Sequence, residues 1–279
     1  MSMRPRAPSD VALAATLHDP PGALASAIQH TLPRLQDLYR AVAVATSPPT
    51  AARVKRLLAE AGVHAGTPAA NLRGPLYRLS IRRALASAAA RIHYLDLDRA
   101  LHWFTRARRE LAAALRVARR HPVLLLGRTR KAHRSHHLPL YATEALVNRL
   151  IAVRLGSPAT LDLLVPSFVL GRDAAALLLA RSRARDTALY GEWAALLLSL
   201  APEVGYLECR GLEWETPDRH RGAVRRAGLA AWRRRLETPA EWTLRVNMAH
   251  RFIAGFEHAL TRWRVTMPAV RYLPPRARQ

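Results

Sequence analysis

Arg91-Ile-His-Tyr-Leu-Asp-Leu-Asp-Arg99 decides how this chain is read. Ile92, Tyr94 and Leu95 predict the end of a short buried strand, 92–95, and Asp96 and Asp98 follow where that strand runs out. Residues i and i+2 of an extended segment share a face, so the two carboxylates are expected to converge on the rim of a sheet. In an open α/β sheet, ligands bind just outside the carboxyl ends of the strands. Hard divalent cations such as Mg²⁺ or Mn²⁺ take one or two carboxylates and leave their remaining positions to water and phosphate. The spacing fits such a metal site. It also fits two solvated loop aspartates.

Working outward, apolar runs alternate with helical stretches. Val11–Leu17 and Ala41–Ala45 predict strands, with a helix over 23–39 between them. Val54, Leu57, Leu58 and Ala61 keep the spacing of one buried helical face, which Gly62 closes. A helix over 77–90 feeds the 92–95 strand, and a helix over 100–119 leads to a strand at 123–126. Strands alternating with helices of this length predict an α/β fold with a mostly parallel or mixed sheet covered on both faces.

Residues 1–10 are short, basic and proline-punctuated, and are expected to be disordered; residues 11–220 form the expected catalytic-type body. From about 221 to 279 a helical extension is expected. There Thr238-Pro239-Ala240-Glu241 has the composition of a capped helix start. Trp242, Val246, Ala249, Ile253, Phe256, Leu260 and Trp263 then form one apolar stripe.

The formal charge of +24 is carried almost wholly by arginine, because Lys55 and Lys131 are the only lysines among 44 basic residues. Such a field attracts polyanions: nucleotide phosphates, nucleic acid or an anionic membrane surface. The single cysteine, Cys209, excludes an intrachain disulfide and suits a reducing cytoplasm. No apolar run reaches bilayer-spanning length. A cytoplasmic location is expected, with Arg225–Arg235 as the stretch best suited to peripheral attachment at the inner membrane face.

Gly74, Arg82-Arg83-Ala84, the 92–95 strand and Asp96-Leu97-Asp98 together resemble the nucleotide-sugar-binding half of GT-A fold glycosyltransferases, close in pattern to family 2 and mannosylglycerate-synthase-like proteins. The resemblance implies a GT-A-like mixed, mostly parallel sheet flanked by helices. It implies Asp96 near the donor's ribose, and Asp98, aided by Asp96, on a Mg²⁺ or Mn²⁺ ion bridging the diphosphate. Arg82 or Arg83 would steady phosphate. Asp19, after the first strand, would meet the nucleotide base. Glu192, in Gly191-Glu192-Trp193, stands where inverting members keep a general base, although Gly191 departs from the usual acidic pair. His220 or Asp218, in Thr216-Pro217-Asp218-Arg219-His220, would be a third metal ligand. Arg99 replaces an acidic residue often found after the motif.

Arg128 opens the densest basic run, which extends to His137 and reads as a loop closing over the diphosphate or an anionic acceptor, with a solvated basic loop as the alternative. His133, His136 and His137 lack the partners of a usual zinc site. The expected partners are a nucleotide-sugar donor and an acceptor that is a small molecule or lipid-linked. Two rivals stay open. A nucleotidyltransferase would show a glycine-rich loop where this chain has His18-Asp-Pro-Pro-Gly22, and a nucleic-acid-binding protein rests on charge alone, without a recognisable binding motif.

Overall fold

The structure, a computed structural model, describes residues 10–274. The basic segment 1–10, apart from Asp10, therefore lies outside the described residues. The strands are β1 (Val11–Leu17), β2 (Ala41–Thr46), β3 (His64–Gly66), β4 (Arg91–Tyr94), β5 (Val123–Arg128), β6 (Phe168–Gly171), β7 (Glu203–Cys209) and β8 (Ala269–Leu273). They join in one sheet of order β3-β2-β1-β4-β6-β5-β7-β8. Its pairings are parallel except those of β6, which runs antiparallel to both β4 and β5. This is a mixed, mostly parallel α/β sheet flanked by helices, as the alternating pattern of the sequence predicts.

Alternation along β1 separates two cores. Val11, Leu13, Ala15 and Leu17 face one apolar layer, and Ala12 and Ala14 face the other. The first layer packs under α1 (Ala25–Gln36) and α2 (Ala52–Glu60). The second lies under α3 (Arg73–Leu85), whereas α4 (Leu97–Ala118) returns to the first. After β5 come α5 (Arg130–Arg134) and α6 (Leu138–Arg154); α7 (Arg172–Arg181) follows β6 directly, and the 182–188 turn joins it to α8 (Leu189–Leu198). Within the second layer Tyr77, Tyr94, Phe168 and Trp193 stack edge and face at centroid distances of 5.1–5.7 Å.

Beyond β7 the chain forms α9 (Arg221–Ala227), α10 (Leu229–Arg234) and α11 (Pro239–Trp263), and then adds β8 to the sheet beside β7. Thr238 caps α11, its hydroxyl accepting from Glu241 N at 3.2 Å. The buried face of α11 differs from the predicted stripe. Ala249, Phe252, Gly255, Phe256 and Ala259 are buried, whereas Val246 is exposed. The cause is a close crossing with α8. A Cβ on Gly191 would meet the carbonyl oxygen of Phe252 at 1.7 Å, and one on Gly255 would meet that of Ala188 at 2.0 Å. Two glycines therefore set where the helices touch, which rotates the contact away from the bulkier Val246.

Candidate active site

β1 and β4 lie side by side, but the chain leaves β1 towards β2 on the far side. The crevice outside the carboxyl ends of such strands is the place where an open α/β sheet receives ligands. Thr16, near the end of β1, donates its hydroxyl to Asp96 Oδ1, and Tyr94, at the end of β4, donates to the same oxygen at 3.2 Å. Burial pushes the Tyr94 phenol up, so it keeps the proton that it donates. No described residue bonds Oδ2 of Asp96. Burial, then the neighbouring Asp98 charge, raises the Asp96 carboxyl above its ordinary range.

The aspartates are not held on one extended strand, as their spacing predicts. Asp96 is the N-cap of α4 and Asp98 lies within its first turn. The positive end of the helix dipole favours acidic groups at this point, and that preference extends α4 three residues earlier than its apolar pattern. Asp98 Oδ1 accepts from Arg99 N at 2.8 Å, and Oδ2 accepts from Arg219 Nη2. Arg219 Nη1 also donates to the carbonyl of His18 at 2.8 Å, spanning from α4 to the loop after β1. Arg99 pairs with Glu215 at 3.3 Å. Burial would raise the Glu215 carboxyl, but the Arg99 guanidinium overrides it and holds the carboxyl below its usual range.

Arg73, the first residue of α3, donates from Nη1 to Tyr190 Oη at 2.9 Å, and the Tyr77 and Tyr190 hydroxyls are 2.7 Å apart. Arg73, Asp96, Arg99, Tyr190 and Glu215 line a cavity of about 340 Å³, together with His136, Glu144, Trp214, Glu241 and Arg245. That is the size of a small-molecule site. Two neighbouring carboxylates, one with an oxygen that no described residue bonds, are hard donors of the kind that Mg²⁺ or Mn²⁺ takes alongside phosphate and water. The residues fit such an ion, provided that Arg219 yields Asp98.

Several sequence-based site residues have other work. Asp19 accepts from Ala23 N and Leu24 N, one on each carboxylate oxygen at 2.9 Å, and so organises the entry to α1 instead of facing a base. Arg82 and Arg83 are exposed in the last turn of α3. Nine residues at about 1.5 Å each set Arg82 about 14 Å along the axis from Arg73, at the opposite end of the sheet from Asp96. Arg73 is the α3 arginine beside the crevice.

Arg128 is buried and clamps Asp162, with Nε to Oδ2 at 2.7 Å and Nη2 to Oδ1 at 2.9 Å, while Nη2 also reaches Glu144. The basic run after it is no open loop. It folds as α5, capped by the Thr129 side chain, and buries His136 and His137. Glu192 is buried too, accepting from Ser182 Oγ at 2.7 Å, Arg183 N at 2.6 Å and Ala184 N at 3.0 Å. Those bonds consume both of its oxygens in holding the 182–184 turn, so it is not placed as a base. His220 is exposed and packs on Trp232, with centroids 5.3 Å apart. Among the described residues no three His, Cys, Asp or Glu side chains converge closely enough to hold a metal ion by themselves.

Of the sequence-based residues, the crevice gathers Asp96 and Asp98. Sequence reasoning missed Arg73, Glu215, Arg219 and Tyr190. The one local signal was Arg73, which directly precedes Gly74. A Cβ there would meet the Ala184 carbonyl oxygen at 2.1 Å, so Gly74 marks a tight helix start.

No protein-family model and no curated protein matches this chain. Its fold is similar to that of glucosyl-3-phosphoglycerate synthase from Mycobacterium tuberculosis. The crystal structure of that enzyme with Mn²⁺, uridine diphosphate and phosphoglyceric acid matches over 84% of this chain and 81% of that one, at 15% identity and a TM-score of 0.49. A second, with Mn²⁺, uridine-diphosphate-glucose and phosphoglyceric acid, matches over 84% and 82%, at 15% identity and a TM-score of 0.48. A third matches over 70% of this chain and 66% of that one, just under two thirds of the enzyme's length, at 15% identity and a TM-score of 0.42. The likeness is one of fold, and the site stands on its own residues.

Proposed function

We propose that this chain is a GT-A-type glycosyltransferase that binds a nucleotide-diphosphate sugar in the crevice between β1 and β4. One observation carries the reading: Asp96 and Asp98 stand together at the N-terminus of α4, with Arg73, Arg99 and Arg219 around them. Paired carboxylates ringed by guanidiniums suit a doubly charged leaving group together with its counter-ion. A divalent ion, Mg²⁺ or Mn²⁺, would be held by Asp98 and the free oxygen of Asp96, where it would stabilise charge developing on the departing diphosphate. Thr16 and Tyr94 fix the Asp96 carboxylate in position, and the Arg73–Tyr190–Tyr77 chain closes the wall beside it. The acceptor, a small molecule or the headgroup of a lipid-linked one, would enter the same cavity, whose lining also includes His136, Trp214 and Arg245.

Some of the solved structures of similar fold hold uridine diphosphate or uridine-diphosphate-glucose with Mn²⁺ or Mg²⁺, and some hold phosphoglyceric acid. They make uridine diphosphate the first donor fragment to try. No helix among the described residues is long and apolar enough to cross a membrane. Peripheral contact is the finer proposal, resting on exposed Leu229 at the start of α10 between the arginines of α9 and those of α10.

A thermal-shift series with nucleoside diphosphates and their sugars, with and without Mn²⁺, tests the reading, because a ligand of the native state raises stability as RT ln(1 + [L]/Kd). A metal-dependent shift with one nucleoside diphosphate is expected. Flat response to every nucleotide, or binding of nucleic acid that collapses with salt, would sink the proposal.

A further inference from the structure

Asp98 is already served by a cation of the protein's own. One of its oxygens accepts from the Arg99 backbone and the other from Arg219, so a divalent ion cannot take full hold of this carboxylate while Arg219 stays. Arg219 is also well placed to leave. It sits on the 3-10 segment Thr216–His220, with its side chain 20% exposed. That segment has anchors independent of Asp98. Asp218 pairs with His102 Nδ1 at 2.7 Å, and Glu215 pairs with Arg99 at 3.3 Å. Releasing the guanidinium therefore costs one ion pair and leaves the backbone held.

We propose, resting on the donor site just described, that Arg219 is an exchangeable counter-cation: it competes with the divalent ion for Asp98 and, once displaced, binds the donor's diphosphate. Its second contact gives the direction of travel. Nη1 already reaches across the crevice to the His18 carbonyl, on the loop after β1, so the guanidinium spans the gap that a diphosphate must enter. A planar guanidinium on a long, flexible stem suits either partner, since carboxylate and phosphate offer the same paired-oxygen geometry. Charge follows the same logic. The incoming ion neutralises the two aspartates, and the incoming diphosphate supplies the anion that Arg219 has lost. Metal and donor then load together, each making room for the other.

The exchange predicts effects of opposite sign from one substitution, which a damaged fold would not give. Mn²⁺ binding to the full chain without nucleotide is read from the electron paramagnetic resonance signal of the free ion. Uridine diphosphate binding in saturating Mn²⁺ is read by titration calorimetry. Arg219→Gln is expected to bind Mn²⁺ roughly tenfold more tightly and uridine diphosphate roughly tenfold more weakly, the scale of one charge-assisted hydrogen bond. Arg219→Lys keeps a cation beside Asp98 and is expected to move both constants less, in the same directions. If the wild type binds both ligands and Arg219→Gln leaves Mn²⁺ affinity unchanged or lower, the exchange is overturned while the donor site stands. If the wild type binds neither ligand, the donor site itself falls, and the exchange with it.

Discussion

Gly191 on α8 lies against the backbone of Phe252 on α11, so closely that a Cβ would stand 1.7 Å from the Phe252 carbonyl oxygen and 2.8 Å from Phe256 N. The two helices cross at backbone contact. Gly191→Ala must push them apart, and Tyr190, which holds Arg73 in the cavity wall, is the adjacent residue. A loss of about 1–3 kcal/mol is expected, the cost of overpacking a tight core. Weaker nucleotide binding should accompany it. Urea denaturation measures the first and calorimetry the second; a variant as stable as the wild type would show that the crossing is loose.

Phe256 sits one turn further along the same contact and is fully buried. Phe256→Ala is expected to cost about 3–5 kcal/mol, as truncated core aromatics do. A loss below about 1 kcal/mol, typical of surface positions, would mean that α11 is not clamped to the body.

Asp98→Ala removes a carboxylate on the crevice rim whose partners are one backbone amide and Arg219. The fold should survive. The extra thermal shift that Mn²⁺ gives with a nucleoside diphosphate should disappear. Unaltered metal dependence in this variant would mean that the ion binds elsewhere.

Arg128 and Asp162 form a buried bidentate pair, and Arg128→Ala takes the guanidinium from both Asp162 and Glu144, leaving Asp162 only the Asn148 amide and the backbone N–H of residue 128. Removing one partner of a buried pair costs about 3–5 kcal/mol. The pH dependence has a defined sign. Burial opposes ionisation of Asp162, but Arg128 prevails and depresses the carboxyl well below its ordinary value of 3.8. A depressed acid contributes stability above its unfolded value, and that contribution is lost as pH falls through the folded one. Acid unfolding curves should therefore show a component below about pH 4 in the wild type that is absent from Arg128→Ala. Donor binding by any folded variant should fall less than stability does, since Arg128 is spent on Asp162 and Glu144 and does not itself line the cavity.

Much of the sheet can be read along the chain. β1, β2 and β5 are continuous apolar runs bounded by turns, and their partners keep helical spacing. β3 and β6 cannot be read, since three or four residues carry no period, and β6 is a strand because β4 and β5 leave a gap for it. In the site, the aspartate pair is legible because two acids close a hydrophobic run. The arginines are not. Which of 42 guanidiniums faces the crevice depends on how distant segments cross, and Arg219 reaches Asp98 from 121 residues away. Asp19 and Glu192 mislead for a different reason: a carboxylate near a turn can serve either substrate or the turn itself, and here backbone amides take both oxygens of Asp19, while two amides and the Ser182 hydroxyl take those of Glu192. The Asp-Pro-Pro-Gly sequence ahead of α1 was the available hint that Asp19 belongs to a turn.

The crossing of α8 and α11 also constrains the order of assembly during synthesis. α8 is buried over nearly its whole length, yet part of its cover, from Ala249 to Ala259, is translated some fifty residues later. A nascent chain that has emerged only to about residue 240 must hold an uncovered apolar helix beside an unfinished sheet, a form prone to aggregate or to be held by chaperones. Ribosome-stalled chains ending before and after α11 should then differ sharply in protease resistance. The molecule is expected to fold in one late step as its last helix arrives, instead of growing strand by strand from its first.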